Sequence, residues 1–267
     1  MSYSVSVLFE DNDVLVVNKP AGLVVHSDGR TKEPTLVEWV LKNYPKIKGV
    51  GDVVSTRGGS AFGGKDKGLR IKDAEWSLDR SGIVHRLDRE TSGALLIAKN
   101  QTAFARLKKQ FQRQQVHKTY HAFVYGSVKQ DDGLIDRPIA RSRTNPVLWS
   151  ATRGRRGEER EAVTEYRVLG RYKGLSFVTK DCPLFSFLEL YPRTGRTHQI
   201  RVHLKAINYP VVCDKLYAPN RECALGFSRL ALHSRAFSFI HPTSGERMTV
   251  EAPYSKDFEN ALTLSRI

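Results

Sequence analysis

Cysteine, long apolar runs and negative charge are all scarce in this 267-residue chain, and each scarcity closes off a class of function. Only Cys182, Cys213 and Cys223 occur. Their odd number and the lack of any C-x-x-C spacing argue against a disulfide framework and against a zinc site, and predict ordinary buried or half-buried thiols. No stretch approaches the roughly 18 apolar residues of a membrane-spanning helix. The start, Met1 to Asp13, holds three acidic residues and no apolar core of the kind a targeting segment carries. A soluble protein of a reducing, cytoplasmic compartment is the expectation. Acidic residues number 28 against 43 lysines and arginines, a net charge of +15. Such an excess favours a polyanionic partner, because each phosphate neutralised releases counterions. Nucleic acid is the leading partner class. His26, His85, His203, His233 and His241 are scattered without ligand spacing, so packing or RNA hydrogen bonding is expected of them and not a metal site.

Local patterns divide the chain into short elements. Val14 to Asn18 is an apolar run closed by Lys19-Pro20-Ala21-Gly22, the punctuation that ends a strand in a turn. Leu36, Val37, Val40 and Leu41 fall at helical spacing, with Pro34 or Thr35 at the helix start. From Gly51 to Arg70 the composition shifts to six glycines with Arg57, Lys65, Lys67 and Arg70, and no apolar period can be counted. We read residues 51–80 as a flexible, basic insertion. Ala94 to Ala98 reads as a strand, and Asn100 is placed to cap a helix carrying Phe104, Leu107 and Phe111 on one face. Arg106, Lys108, Lys109 and Arg113 lie off that stripe, as a solvated charged face does.

Period-two patterns recur from Tyr120 onward. Tyr120, Ala122 and Val124 alternate with His121, Phe123 and Tyr125, and Ala162, Thr164, Tyr166 and Val168 alternate with their neighbours. Leu184 to Tyr191 and Leu230 to Phe239 read likewise. Many strands with few helices between them predict an α+β domain with a largely antiparallel sheet. No internal repeat is present, and length alone leaves one large domain or two small ones open.

The stretch richest in chemistry is His85-Arg86-Leu87-Asp88-Arg89-Glu90-Thr91-Ser92-Gly93. It sets Asp88 between cations just ahead of a strand, and neighbouring positive charge favours the ionised form of a carboxylate. If His85 to Asp88 is extended, Arg86 and Asp88 share one face while His85 and Leu87 share the other. Asp88 is the first candidate for a nucleophile or base. Near Arg201, Ile200, Leu204 and Ile207 form a helical stripe that turns His198, Arg201 and Lys205 to another face, away from the core.

At this point the chain resembles the RluA-type pseudouridine synthases, whose hallmark is an HRLD-x-x-TSG run with an essential aspartate. Four more blocks agree in the family order. Val17 to His26 resembles the opening motif and Lys118 to Gly126 the tyrosine strand. Arg193 to Leu204 resembles the third motif, and Leu232-His233-Ser234 with His241 to Glu246 the closing hairpin. Five blocks over nearly the whole chain are far more specific than any short pattern.

The resemblance implies a single catalytic domain over 1–267, a mixed sheet with flanking helices split by an RNA-binding cleft. It implies isomerisation of specific uridines in ribosomal or transfer RNA without cofactor or metal. Asp88 takes the catalytic place, Tyr120 the tyrosine that stacks on the base or moves a proton, and Arg201 the basic partner of the carboxylate. Arg86 fills the space left by a flipped base. His85, Lys19, Arg196, Thr197, His198 and Gln199 are candidates for positioning the RNA, together with Arg193 and Thr194. None of the small RNA-binding appendage that some relatives carry ahead of this domain is recognised. Two rivals share these residues: an RNA-binding assembly factor that kept the fold, and an N-glycosidase that would release free base.

Overall fold

The computed structural model describes residues 3–27, 33–52, 81–145, 147–152, 154–173 and 184–264. Twelve strands and four α-helices occur among them. The glycine-rich insertion read at 51–80 falls outside them except for Gly51 and Asp52, and Cys182 also lies outside.

Strands β1 (Ser6–Glu10) and β2 (Val14–Lys19) form a hairpin, and helix α1 (Leu36–Asn43) follows. Thr35 starts α1 with a reciprocal capping box: its hydroxyl accepts from the Glu38 N–H, and the Glu38 carboxylate accepts from the Thr35 N–H. Strand β3 (Ser92–Ala98) is buried on both faces, as the unbroken apolar run from Ala94 requires. Helix α2 (Gln101–Gln112) begins where Asn100 accepts from the Ala103 N–H, and it buries Phe104 and Leu107.

Next come β4 (His117–Tyr125), β5 (Asp132–Asp136), the short β6 (Ile139–Ser142), β7 (Trp149–Ser150) and β8 (Arg155–Arg160), and the long β9 (Val163–Lys173). Strand β10 (Leu184–Pro192), helix α3 (Gln199–Ala206), the hairpin β11 (Leu232–Ile240) with β12 (Arg247–Glu251), and helix α4 (Lys256–Leu262) complete the chain.

The main sheet runs β1-β2-β3-β11-β4-β10-β9-β5, with β12 added to β11. Every pair is antiparallel except β3 with β11, which pair in parallel through His233 with Ser92 and Ser234 with Gly93. The fold is α+β, a mixed and largely antiparallel sheet, as expected. That one parallel junction brings the Asp88 segment, just ahead of β3, beside the centre of the sheet. Glycine is required there: Gly93 has φ +109°, and a Cβ would stand 2.2 Å from the Ser234 carbonyl oxygen.

The alternation expected along β4 does not sort inside from outside. Tyr120 to Tyr125 are all buried, because β4 lies in mid-sheet between β11 and β10 and is covered on both faces. A ring cluster of Phe123, Phe187, Phe227 and Phe258 fills that region.

Two features were not foreseen. Strands β7-β6-β8 form a separate three-stranded sheet, joined to the body by a small core of Ile139, Ala151, Ala162, Val202 and Tyr217. Cys213 and Cys223, expected as separate thiols, are joined in a disulfide. The same loop ends are also held by Tyr125, whose hydroxyl accepts from the Cys213 N–H and donates to the Glu222 carbonyl.

Candidate active site

The Asp88 segment is irregular, but its residues divide between faces as an extended chain demands. Leu87 is buried, Arg86 is exposed, and the Asp88 side chain is 17% exposed, so its carboxylate is reachable from solvent. His85 turns inward: its ring stacks on Phe111 of α2 and packs against Phe237 of β11. Its Nε2 accepts from the Leu96 N–H at 3.0 Å. Burial pulls its pKa down to about 3, which keeps that nitrogen an acceptor. His85 thus pins the segment to β3 by packing and by this hydrogen bond.

Lys19 also departs from expectation. A lysine beside Pro-Ala-Gly reads as an exposed phosphate donor, yet Lys19 is 0% exposed. Its Nζ donates to the carbonyls of Pro20, Leu23 and Arg89 at 2.8 to 2.9 Å. The Gly22 N–H donates to the same Arg89 oxygen. All three ammonium hydrogens are spent on carbonyls, so Lys19 ties the opening turn to the Asp88 segment and cannot reach RNA. Desolvation pulls its pKa down to about 7, against the pull of Glu90 and Asp88.

From the other end of the chain α3 supplies Arg201. Its stripe of Ile200 and Leu204 is buried with Ile207 packed against the same core, but the opposite face is not turned to water: Val202 packs in the small core beside the three-stranded sheet, and Arg201 itself is 6% exposed. Nη1 donates to Asp88 Oδ2 at 3.2 Å. Nε and Nη2 donate as a fork to Asp214 Oδ2 and Oδ1 at 2.8 and 2.7 Å. The two carboxylates raise its pKa against the opposing pull of burial, so Arg201 carries its charge throughout the working range.

His198 precedes α3 in a left-handed conformation, φ +57°. Its Nε2 lies 3.9 Å from Asp88 Oδ2, and its Nδ1 lies 2.9 Å from the Tyr217 hydroxyl. Burial lowers its pKa although Asp88 draws it upward. Tyr120 is 8% exposed on β4. Burial, with a smaller push from the Asp88 charge, raises its pKa, so its hydroxyl keeps its proton at neutral pH.

The loop ahead of α3 divides as well. Gln199, read as an RNA contact, is 4% exposed. Its Oε1 accepts from the Thr194 hydroxyl and the Arg196 N–H, and its Nε2 donates to the Val163 carbonyl and the Thr164 hydroxyl. With both ends consumed, it organises the loop instead of touching a ligand. Arg193 pairs with Glu165. Arg196 is exposed, anchored by Nε to the Glu161 carbonyl, and Thr197 is half-buried.

Asp88, Arg201 and His198 are therefore brought together, with Tyr120 within electrostatic range. Arg86, Arg196 and Thr197 remain accessible, while Lys19, Gln199 and His85 belong to the scaffold. Sequence reasoning missed Asp214 and Tyr217. Both sit in an irregular segment, Cys213-Asp214-Lys215-Leu216-Tyr217, with no periodicity to single them out. It also missed Lys118, whose Nζ donates to the Thr194 carbonyl and whose pKa burial lowers to about 8.

Beside the site stands a basic surface. Trp149 of β7 packs against the guanidinium groups of Arg141 and Arg160. A shallow recess of about 410 Å³ opens on the Tyr217 side, lined among others by Lys205, Asn208 and Arg221. Among the described residues no cluster of three or more His, Cys, Asp or Glu could hold a metal ion. No helix among them is long and apolar enough to cross a membrane.

A family model described as RNA pseudouridylate synthase matches residues 13–206, a span holding every block from the opening turn to α3. The chain belongs to the RluA-type pseudouridine synthase family. Members of this RluA-type family are isomerases that act on RNA. The chain is 36% identical to an uncharacterized RNA pseudouridine synthase of Bacillus subtilis, over 94% of its own length and 69% of that protein's. It is 34% identical to the ribosomal large subunit pseudouridine synthase D of Zymomonas mobilis, over 95% of its length and 70% of that protein's. Among solved structures it is similar to the human RNA pseudouridylate synthase domain containing 1. There the TM-score is 0.66 and the identity 25%, covering 94% of this chain and 84% of that one.

Proposed function

We propose that this pseudouridine synthase isomerises specific uridines of structured ribosomal or transfer RNA in the cytoplasm, with Asp88 as the catalytic carboxylate. One observation carries the reading: Asp88, in the HRLD segment, is solvent-reachable and receives a guanidinium N–H from a residue 113 positions away. A surface Asp–Arg pair has no need of a partner so distant, nor of one that is itself buried and pinned. The charge of +15 and the basic surface around Trp149 suit a folded polyanion.

A uridine inside folded RNA is stacked, so the base must be everted at a cost of a few kcal/mol before chemistry begins. Arg86, exposed beside Asp88, fills the vacated space, and Arg196 with Thr197 holds backbone phosphate. The Tyr120 ring packs against the extruded base and its protonated hydroxyl serves proton movement. Asp88 then attacks ribose carbon 1′ or removes the proton at carbon 2′; the residues serve either route. In both, the bond from carbon 1′ to nitrogen 1 breaks, the uracil turns, and carbon 5 bonds to carbon 1′, as the ester bond from Asp88 to carbon 1′ breaks on the first route or as Asp88 returns the proton to carbon 2′ on the second. Carbon 5 then loses its proton and nitrogen 1 gains one, so atoms balance without a cofactor.

RNA tritiated at uracil carbon 5 tests this directly. Wild type is expected to release tritium to water and Asp88→Asn to release none above background. Equal release by both proteins would refute the role of Asp88, and free uracil as the main product would instead identify an N-glycosidase.

A further inference from the structure

Two donors approach the Asp88 carboxylate, and both approach the same atom. Arg201 Nη1 is 3.2 Å from Oδ2 and His198 Nε2 is 3.9 Å from that same Oδ2. Neither donor is free to choose its direction. The Arg201 guanidinium is planar, and the Asp214 fork on Nε and Nη2 fixes its plane, leaving Nη1 to point one way. Asp214 is in turn immobile: its side chain is 0% exposed, and its Oδ1 also accepts from the N–H groups of Leu216 and Tyr217.

His198 is aimed by the same short segment. The Tyr217 hydroxyl already accepts from the Trp149 N–H at 3.1 Å, and His198 Nδ1 at 2.9 Å is the partner we assign to its own hydrogen. A hydroxyl that donates to Nδ1 makes that nitrogen the acceptor and leaves the imidazole proton on Nε2. The nitrogen facing Asp88 is then a donor. Tyr217 also stacks on the Arg201 guanidinium, 5.0 Å from its ring centre, and belongs to the small core that joins the three-stranded sheet to α3.

We infer that Asp214 and Tyr217, one segment of four residues, are positioning residues that aim two donors at Asp88 Oδ2 and so leave Oδ1 as the oxygen presented to the ribose. This rests on the proposed role of Asp88. Neither residue touches RNA; Asp214 acts through Arg201 and Tyr217 through His198. The arrangement orients the carboxylate before substrate arrives, which is where a misplacement of an ångström is costly.

The test combines single-turnover tritium release with RNA binding and with 15N NMR of the histidine ring. Asp214→Asn is expected to slow release about 100-fold while the Kd for RNA stays within about three-fold. In an Arg201→Met background the same substitution is expected to slow release less than about two-fold, since its only route of action is gone. Tyr217→Phe is expected to slow release about 10-fold and to convert His198 from a single Nε2–H tautomer into a mixture.

Multiplying effects of Asp214→Asn and Arg201→Met, a Kd that rises as far as the rate falls, or a wild-type His198 protonated at Nδ1 would each overturn the inference. Should Asp214→Asn fail to fold, Tyr217→Phe, which removes a single oxygen, carries the test through the tautomer. That signal is read without turnover. A wild type that releases no tritium yet shows the expected tautomer would therefore count against the role of Asp88 and not against the aiming.

Discussion

The turn at Lys19 and the segment at Asp214 both serve the Asp88 segment, but one grips its backbone and the other grips its carboxylate. Lys19 reaches the Arg89 carbonyl and spends its remaining hydrogens on carbonyls of its own turn. Asp214 reaches Asp88 only through the fork of Arg201. A buried ammonium ringed by carbonyls fixes where the chain runs. A guanidinium shared between two carboxylates fixes where charge and lone pairs point. The first is a matter of stability and the second of rate as well as stability, and a lysine could not replace the arginine, since it has no planar fork.

Substitutions at the two cations separate these roles most sharply. Arg201→Met is expected to lower the single-turnover rate about 10²- to 10³-fold with RNA affinity little changed. It also strands the buried Asp214, a loss of about 3 to 5 kcal/mol in stability. Lys19→Met takes the ammonium donor from the Pro20 and Leu23 carbonyls, leaves the Arg89 carbonyl with the Gly22 N–H alone, and is expected to cost about 2 kcal/mol or more. Denaturant unfolding would read that as a lower midpoint, while the rate per folded molecule falls far less than for Arg201→Met. If Lys19→Met proved as slow as Arg201→Met at full stability, the division between backbone grip and carboxylate grip would collapse.

Gly93→Ala sharpens the same comparison from the β3 side. A Cβ driven into the Ser234 carbonyl is expected to destabilise by roughly 2 to 4 kcal/mol, displacing both grips together. Stability and rate should therefore fall in step.

Opening the Cys213–Cys223 disulfide with Cys223→Ser is expected to cost at most about 2 to 3 kcal/mol of loop-closure entropy. Thermal melting would show it. The Tyr125 hydroxyl still joins the same loop ends, so Asp214 keeps its place and the turnover rate is expected to hold.

The last effect appears only in acid. His85 folds with its pKa pulled down to about 3 from 6.5, so between those values the unfolded chain binds the extra proton. Its contribution to stability is complete above about pH 6.5 and is lost as pH falls toward 3. His85→Gln, which can still accept from the Leu96 N–H but does not titrate, is expected to flatten the acid side of the stability curve. An unchanged slope would show that His85 is not the group responsible.

Much of the fold could be read in advance because its cause is local. Thr35 and Asn100 cap the helices they precede, and the apolar run at Ala94 becomes the strand it resembles. The β7-β6-β8 sheet could not be read, because Arg155–Arg160 is Arg-Arg-Gly-Glu-Glu-Arg, with no apolar residue to carry a period. The site divides in the same way. Asp88, Tyr120 and Arg201 lie in motifs, whereas Asp214 lies in a stretch without pattern. Lys19 and Gln199 were misread because residue type reveals a donor but not whether that donor is already spent.

By itself the chain of residues determined the family, the α+β class, the excess of positive charge and the carboxylate at the head of β3. Those follow from spacing, capping and composition, which act over a few positions or over the chain as a sum. Only the tertiary structure decided which cations face solvent and which lie buried, and which oxygen of Asp88 is held. Burial and pairing depend on neighbours from a few tens to more than a hundred residues away, which no local pattern records.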